Sequence, residues 1–192
     1  MQYLLLAINS VFIGNLILSK FLGICPFLGV SRKVSTALGM SMAVLFVMTM
    51  ASTVTWVLFY TLLEPFGLEY LRTIVFILVI ASLVQLTEMA IQKISPALYE
   101  ALGIYLPLIT TNCAILGVAI DTIEKGYNFV GMLVYAVFGA IGFALALLLF
   151  AGLRERLETS DVPDAFKGAA SSLIVAGILS LAFMGFSGLV PG

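Results

Sequence analysis

Lys20-Phe21-Leu22-Gly23-Ile24-Cys25-Pro26-Phe27-Leu28-Gly29-Val30 interrupts an apolar run that begins at Tyr3. The stretch is too apolar for an ordinary loop and too broken for a plain helix. Pro26 lacks a backbone donor, and Gly23 and Gly29 flank it. Its core pattern, Cys-x-x-Leu-Gly-Val, returns 88 positions later as Cys113-Ala114-Ile115-Leu116-Gly117-Val118. There too the approach is broken, by Pro107, Thr110, Thr111 and Asn112. The two motifs hold the only 2 cysteines of a 192-residue chain, each at a similar place in its own half.

The rest of the chain places these breaks in a membrane. Hydrophobic residues make up 62% and charged residues 10%, with mean hydropathy +1.18. A soluble domain carries about 25% charged residues. A net charge of −1 and the lack of a basic stripe exclude a nucleic-acid partner. Histidine is absent, which removes the commonest general base, metal ligand and pH switch together. Nucleotide and flavin fingerprints such as Gly-x-Gly-x-x-Gly are also absent, so soluble redox chemistry belongs to other chains. Met1-Gln2-Tyr3-Leu4 has no basic n-region and no small-residue cleavage site follows, so the first run is expected to be a retained span.

Hydropathy divides the chain into six spans. The first covers 3–18, breaks at Ser19-Lys20 and resumes through the Cys25 motif. The second and third cover about 38–63 and 71–91, joined by a short turn at 64–67. The fourth is broken around Cys113, and 121–125 reads as a polar turn. The fifth and sixth cover about 129–153 and 169–190, separated by the polar stretch 154–167, where Glu158, Asp161 and Asp164 read as a solvated face. Trp56 and Tyr60 suit an aromatic belt, and Gly131-Met132 echoes Gly39-Met40.

The expected fold is an all-α integral membrane protein of six transmembrane helices. Three crossings per half make the halves, 1–93 and 94–192, insert in opposite senses, as two inverted three-helix repeats with broken helices 1 and 4. Lys20, Arg32, Lys33, Lys93, Arg154, Arg156 and Lys167 fall on one side, against Arg72 and Lys125 on the other. That bias puts the first set in the cytoplasm and both termini outside.

Irregular backbone at membrane depth is tolerated only within protein or along a cavity. Half-helix N-termini bring partial positive charge there, which suits a thiolate or a thiolate-bound metal cluster. Two thiolates are half of the four ligands that a [2Fe-2S] or [4Fe-4S] cluster takes. The shortfall predicts a partner, a second copy or a similar subunit, supplying two more cysteines. Against this stands the behaviour of free cysteine as a small apolar core residue, and the residues alone leave both readings open. The apolar context argues against a disulfide. Glu88 reads as an intramembrane functional carboxylate or as an interfacial group. Lys20 either counters charge at the cysteines or reaches the cytoplasmic surface. Thr111 and Asn112 adjoin Cys113 and suit support of a ligand or an ion path. Asn15, Thr53 and Thr55 fit an ion path or helix-packing hydrogen bonds equally well.

With Gln85-Leu86-Thr87-Glu88-Met89, Leu106-Pro107-Leu108-Ile109-Thr110-Thr111-Asn112-Cys113-Ala114 and Ala182-Phe183-Met184-Gly185-Phe186-Ser187-Gly188, these motifs resemble the RnfA/NqrE family over essentially the whole chain. Phe21-Leu22-Gly23-Ile24-Cys25-Pro26-Phe27 is nearer the Rnf branch than the Na⁺-translocating NADH:quinone reductase branch. The resemblance implies a membrane subunit of an ion-translocating ferredoxin:NAD oxidoreductase, with no complete active site on this chain. It further implies that Cys25 and Cys113 hold a [2Fe-2S] cluster shared with a homologous, RnfE-like subunit of opposite topology. Other subunits would carry flavin and iron–sulfur centres. The expected setting is the cytoplasmic membrane of a bacterium or archaeon, with electron relay coupled to Na⁺ or H⁺ transport. The competing expectations are a transporter with structural cysteines, a non-catalytic assembly subunit or an NqrE-type subunit.

Overall fold

A computed structural model describes residues 2–94, 105, 107–159 and 168–186, and among these all regular structure is helical. Helix α1 (Gln2–Ile8) widens into a π-helical turn, Asn9–Ile13, which ends where the Gly14 N–H donates to Asn9 O at 2.7 Å. Irregular chain leads to α2 (Ile24–Val30). Next come α3 (Val34–Phe66), α4 (Arg72–Ile94), α5 (Pro107–Thr110), α6 (Cys113–Glu124), α7 (Phe129–Glu158) and α8 (Ala169–Met184).

At 1.5 Å per residue, α3, α4 and α7 measure roughly 50, 34 and 45 Å, each longer than a hydrocarbon core of about 30 Å. These three are long and apolar enough to cross a membrane, while α1 with its π turn and α8 are shorter apolar helices. The start of the expected fourth span and the end of the sixth lie outside the described residues. The helices are apolar on all sides, as membrane burial requires. Phe46, Ile74, Leu78 and Leu181 face outward, while Met40, Val44 and Met48 of α3 and Ala136, Ala140 and Phe143 of α7 are fully buried. Met40 and Met132, partners in the Gly-Met echo, are both fully buried.

Small residues on α7 seat the broken first helix. A Cβ on Gly142 would lie 3.1 Å from both Cα and O of Val11, a tight contact with backbone that glycine avoids. The first helix therefore breaks at Gly14, earlier than hydropathy implies, because the buried Asn15 side chain takes over backbone partners. Its Oδ1 accepts from Ile17 N and Leu18 N, and its Nδ2 donates to Val11 O and Gly142 O.

Three other boundaries differ from the sequence reading. Residues 121–124 are helical rather than a turn, with Thr122 Oγ1 donating to Ala119 O. Helix α7 continues to Glu158, because Arg154 is engaged by α2 and does not enter a polar loop. Residues 64–66 extend α3, which stops at Gly67 with φ of 66°. Trp56 is half-buried. It donates to Tyr127 O at 3.1 Å and packs on Tyr60 and Phe129.

Candidate functional site

The irregular segment before Cys25 runs back along α6 as a strap with three fixed points. The Lys20 ammonium pairs with Asp121 Oδ2, the Leu22 side chain lies over Gly117, and the Gly23 N–H donates to Cys113 Sγ at 3.0 Å. Cys113, Gly117 and Asp121 are spaced i, i+4, i+8 and so share one face of α6. The other half repeats the middle contact. Leu108 Cδ1 lies 3.3 Å from where a Cβ on Gly29 would stand, and Gly29 is the motif counterpart of Gly117. Each motif glycine thus receives a leucine from the approach to the other motif.

Local chemistry fixes both cysteine-bearing helices. Asn112 caps α6, its Oδ1 accepting from Ala114 N at 3.0 Å, which makes Cys113 the first helical residue. The Asn112 Nδ2 is buried without a hydrogen-bond partner. Gly23 starts α2 at φ of 80°, in the left-handed region, and Cys25 is the second residue of that seven-residue helix. The far end of α2 is held by α7. Arg154 Nη1 donates to Leu28 O at 2.7 Å and to Ser31 Oγ at 3.0 Å, and Phe27 stacks on Phe150 at 4.1 Å between centroids. Arg154→Met is expected to strip the carbonyl end of α2 of this donor, a loss of about 1–3 kcal/mol. A thermal melt of the purified complex should show it as a fall of several degrees, about 2–4 °C per kcal/mol at this size.

Both thiols are free and exposed on this chain. A cysteine kept for packing would be buried. The 12 residues of α6 put Cys113 about 18 Å from the far end of its helix. Among the described residues no group of three or more His, Cys, Asp or Glu is placed to hold a metal. The donor set is therefore two outward-facing thiols, one of them already accepting a backbone N–H. That fits half of a thiolate-ligated cluster and cannot supply a whole site.

A family model described as "Rnf-Nqr subunit, membrane protein" matches residues 3–190. The chain belongs to the Rnf-Nqr family. Similar relatives include the A subunit of the ion-translocating oxidoreductase complex of Syntrophotalea carbinolica, 64% identical over 98% of each chain. The A subunit of the Na⁺-translocating ferredoxin:NAD⁺ oxidoreductase complex of Acetobacterium woodii is 56% identical over 100% of each. The corresponding protein of the ion-translocating oxidoreductase complex of Vibrio cholerae (El Tor Inaba) is 55% identical over 98% of each.

The other sequence candidates take distinct places in this Rnf-Nqr protein. Lys20 is an exposed residue of the strap. It lies against Asp121, whose Oδ2 also accepts from Tyr135 Oη at 2.8 Å, toward the end of α6 where Arg72 pairs with Glu124 at 2.8 Å. Lys125 Nζ stands 4.8 Å from the Tyr135 ring centroid. Burial, and then the charge of Lys20, lower the Lys125 pKa, with Asp121 pulling the other way. Glu88 is half-buried in a narrow cleft with Val47, Val84, Thr87 and Ile109. Thr111 is exposed and bonds Pro107 O, while Thr53 and Thr55 bond carbonyls of their own helix. Asp121, Tyr135 and Arg154 escaped the sequence reading as site residues. For Asp121 the signal was available, since it stands eight residues after Cys113 on one helix face.

Proposed function

We propose that this chain is the A-type membrane subunit of an ion-translocating ferredoxin:NAD oxidoreductase, and that Cys25 and Cys113 bind half of a [2Fe-2S] cluster. The Rnf-Nqr membership and the relatives named as subunits of ion-translocating oxidoreductase complexes support the first part. One observation carries the second: the Gly23 N–H to Cys113 Sγ bond draws the two motifs together while both thiols stay exposed. Two cysteines from a homologous subunit of opposite orientation would complete the ligand set. When bound, the cluster supplies a one-electron carrier within the membrane.

The chain's own residues prepare that place. The Gly23 N–H and the capped N-terminus of α6 offer partial positive charge to a thiolate at Cys113. Arg154 and the Phe27–Phe150 stack hold α2, and with it Cys25, against α7. The crossed leucine–glycine contacts and the matched methionines support two inverted three-helix repeats, 1–93 and 94–192. With Lys20 removed from the count, Arg32, Lys33, Lys93, Arg154, Arg156 and Lys167 still outweigh Arg72 and Lys125. The bias supports termini outside a bacterial or archaeal cytoplasmic membrane. The coupled ion is Na⁺ or H⁺.

Electron paramagnetic resonance on the reduced complex tests this reading, with Cys25→Ser and Cys113→Ser beside the native protein. The expected result is loss of one [2Fe-2S] signal and its iron in both variants, with the subunits still associated. A full cluster complement in either variant would return the cysteines to a structural role in a transporter-like protein.

A further inference from the structure

We propose that the Lys20–Asp121 ion pair is a positioning latch that sets how Cys25 stands relative to Cys113. The role deepens the cluster-binding reading, because its purpose rests on both thiols serving one ligand.

The strap geometry carries the argument. Cys113 and Asp121 lie on one face of α6, and the same helix therefore anchors both ends of the segment 20–23. Cys25 follows Gly23 by two residues, a reach of at most about 7 Å. Any slide of the strap along α6 is passed to Cys25 within that short reach. Between the anchors the strap meets α6 through an apolar contact, Leu22 over Gly117, and an apolar contact sets no direction or register by itself. The backbone bond to Cys113 Sγ is a weak sulfur acceptor contact. The charged pair adds an attraction between specific groups that the other two anchors lack. Tyr135 Oη fixes its carboxylate by donating to the same Oδ2 atom, so the latch point is itself held by α7. The pair is only part-exposed, at 32% and 20% of the two side chains, in a segment flanked by apolar residues.

Phe21 shows the conformational demand on the strap. It is the one non-glycine residue with positive φ among the described residues, at 56°, and its ring is exposed. A left-handed phenylalanine costs roughly 1–2 kcal/mol and persists only where its neighbours hold it. Lys20 on one side and Leu22 on the other are those neighbours. The Leu22 N–H also returns to Leu16 O at 2.8 Å.

The test measures the spacing of the thiols directly, without an electron-transfer assay. The full chain, in native membranes from cells lacking the partner subunits, is treated with a short-span and a long-span bifunctional methanethiosulfonate. Bridging of Cys25 to Cys113 is scored in the native chain, Lys20→Met, Asp121→Asn and Lys20→Arg. Lys20→Met and Asp121→Asn should slow short-span bridging about ten-fold, the sensitivity expected of an intramolecular reaction to misplacement by an ångström or so. Long-span bridging should stay at the native rate, and Lys20→Arg should restore short-span bridging. Native short-span rates in Lys20→Met or Asp121→Asn would overturn the latch. An equal loss with both reagents, marking general collapse, would overturn it too. Cluster loss is read separately in the complex, so cluster-free native complex with latch-dependent bridging would sink the cluster reading and leave the latch standing.

Discussion

Gly23→Ala is expected to prevent the two cysteine segments from meeting. Two costs coincide at that residue. Its φ of 80° costs any L-side chain about 1–2 kcal/mol. The added Cβ would also stand 2.8 Å from Phe143 Cε2, 3.1 Å from Asn112 Oδ1 and 3.2 Å from Ala114 Cβ. Phe143 is fully buried and has no room to retreat, and Asn112 is committed to the cap of α6. Overpacking of this kind adds about 1–3 kcal/mol. The strap relieves the clash most directly by lifting from α6, which breaks the Gly23 N–H to Cys113 Sγ bond. We expect a total loss of roughly 3 kcal/mol or more, a large share of a domain's stability. Membrane abundance and the melting temperature of the complex measure it. Gly152→Ala is the control, because a Cβ there meets nothing within 4 Å and, inside a helix, should be neutral or stabilising by up to about 1 kcal/mol. Equal abundance and melting for the two variants would show that the strap has slack where the structure has none.

An exposed pair of thiols beside broken backbone is an incomplete surface for a membrane subunit. Lipid offers no hydrogen bonds to irregular chain, so such a face needs protein over it. This is a physical reason for the chain to act only within an assembly, separate from the ligand count. It also suits the exposure of both thiols in a protein otherwise rich in buried positions.

Much of this was legible from the residues, and the parts that were not share a cause. Composition and span length depend only on hydropathy, so the membrane class and the long helices α3, α4 and α7 read directly. The twin motif also read directly, because a repeated Cys and Gly four residues apart share a helix face whatever the fold. Positions decided by a tertiary partner did not. Residues 3–18 look like one apolar helix, and only the Asn15 bond to Gly142 O, across 127 positions, shows why it stops at Ile13. Asp121 looked like part of a turn because polar residues cluster there, whereas Lys20 and Tyr135 give its carboxylate partners inside a helix. Lys20 and Arg154 were counted by sign as surface charges. Sign carries no information on whether a long side chain reaches outward or back into the fold. Nor could hydropathy show which way the thiols face.

Asn15→Leu is expected to undo the first break by restoring the helix that local sequence prefers. Leucine matches asparagine roughly in size, is a better helix former and suits the apolar run on either side. What it lacks is the set of four bonds made by a fully buried carboxamide. The Nδ2 serves Gly142 O at 2.9 Å and Val11 O at 3.1 Å, and the Oδ1 serves Ile17 N at 3.1 Å and Leu18 N at 3.4 Å. Each orphaned backbone group costs about 1–3 kcal/mol, with the sum reduced by relaxation. If the native path were kept, the loss would be roughly 3–5 kcal/mol, within the range of the most damaging single substitutions. Continuing the helix past Gly14 satisfies those groups locally and carries Lys20 off the axis that leads to Asp121. The variant should therefore show the bridging defect of Lys20→Met together with a lower melting temperature, whereas Lys20→Met alone should melt close to the native chain. Asn15→Leu with native bridging would mean that Gly14 and the α7 surface suffice to break the helix, and that the carboxamide only stabilises a path set by packing.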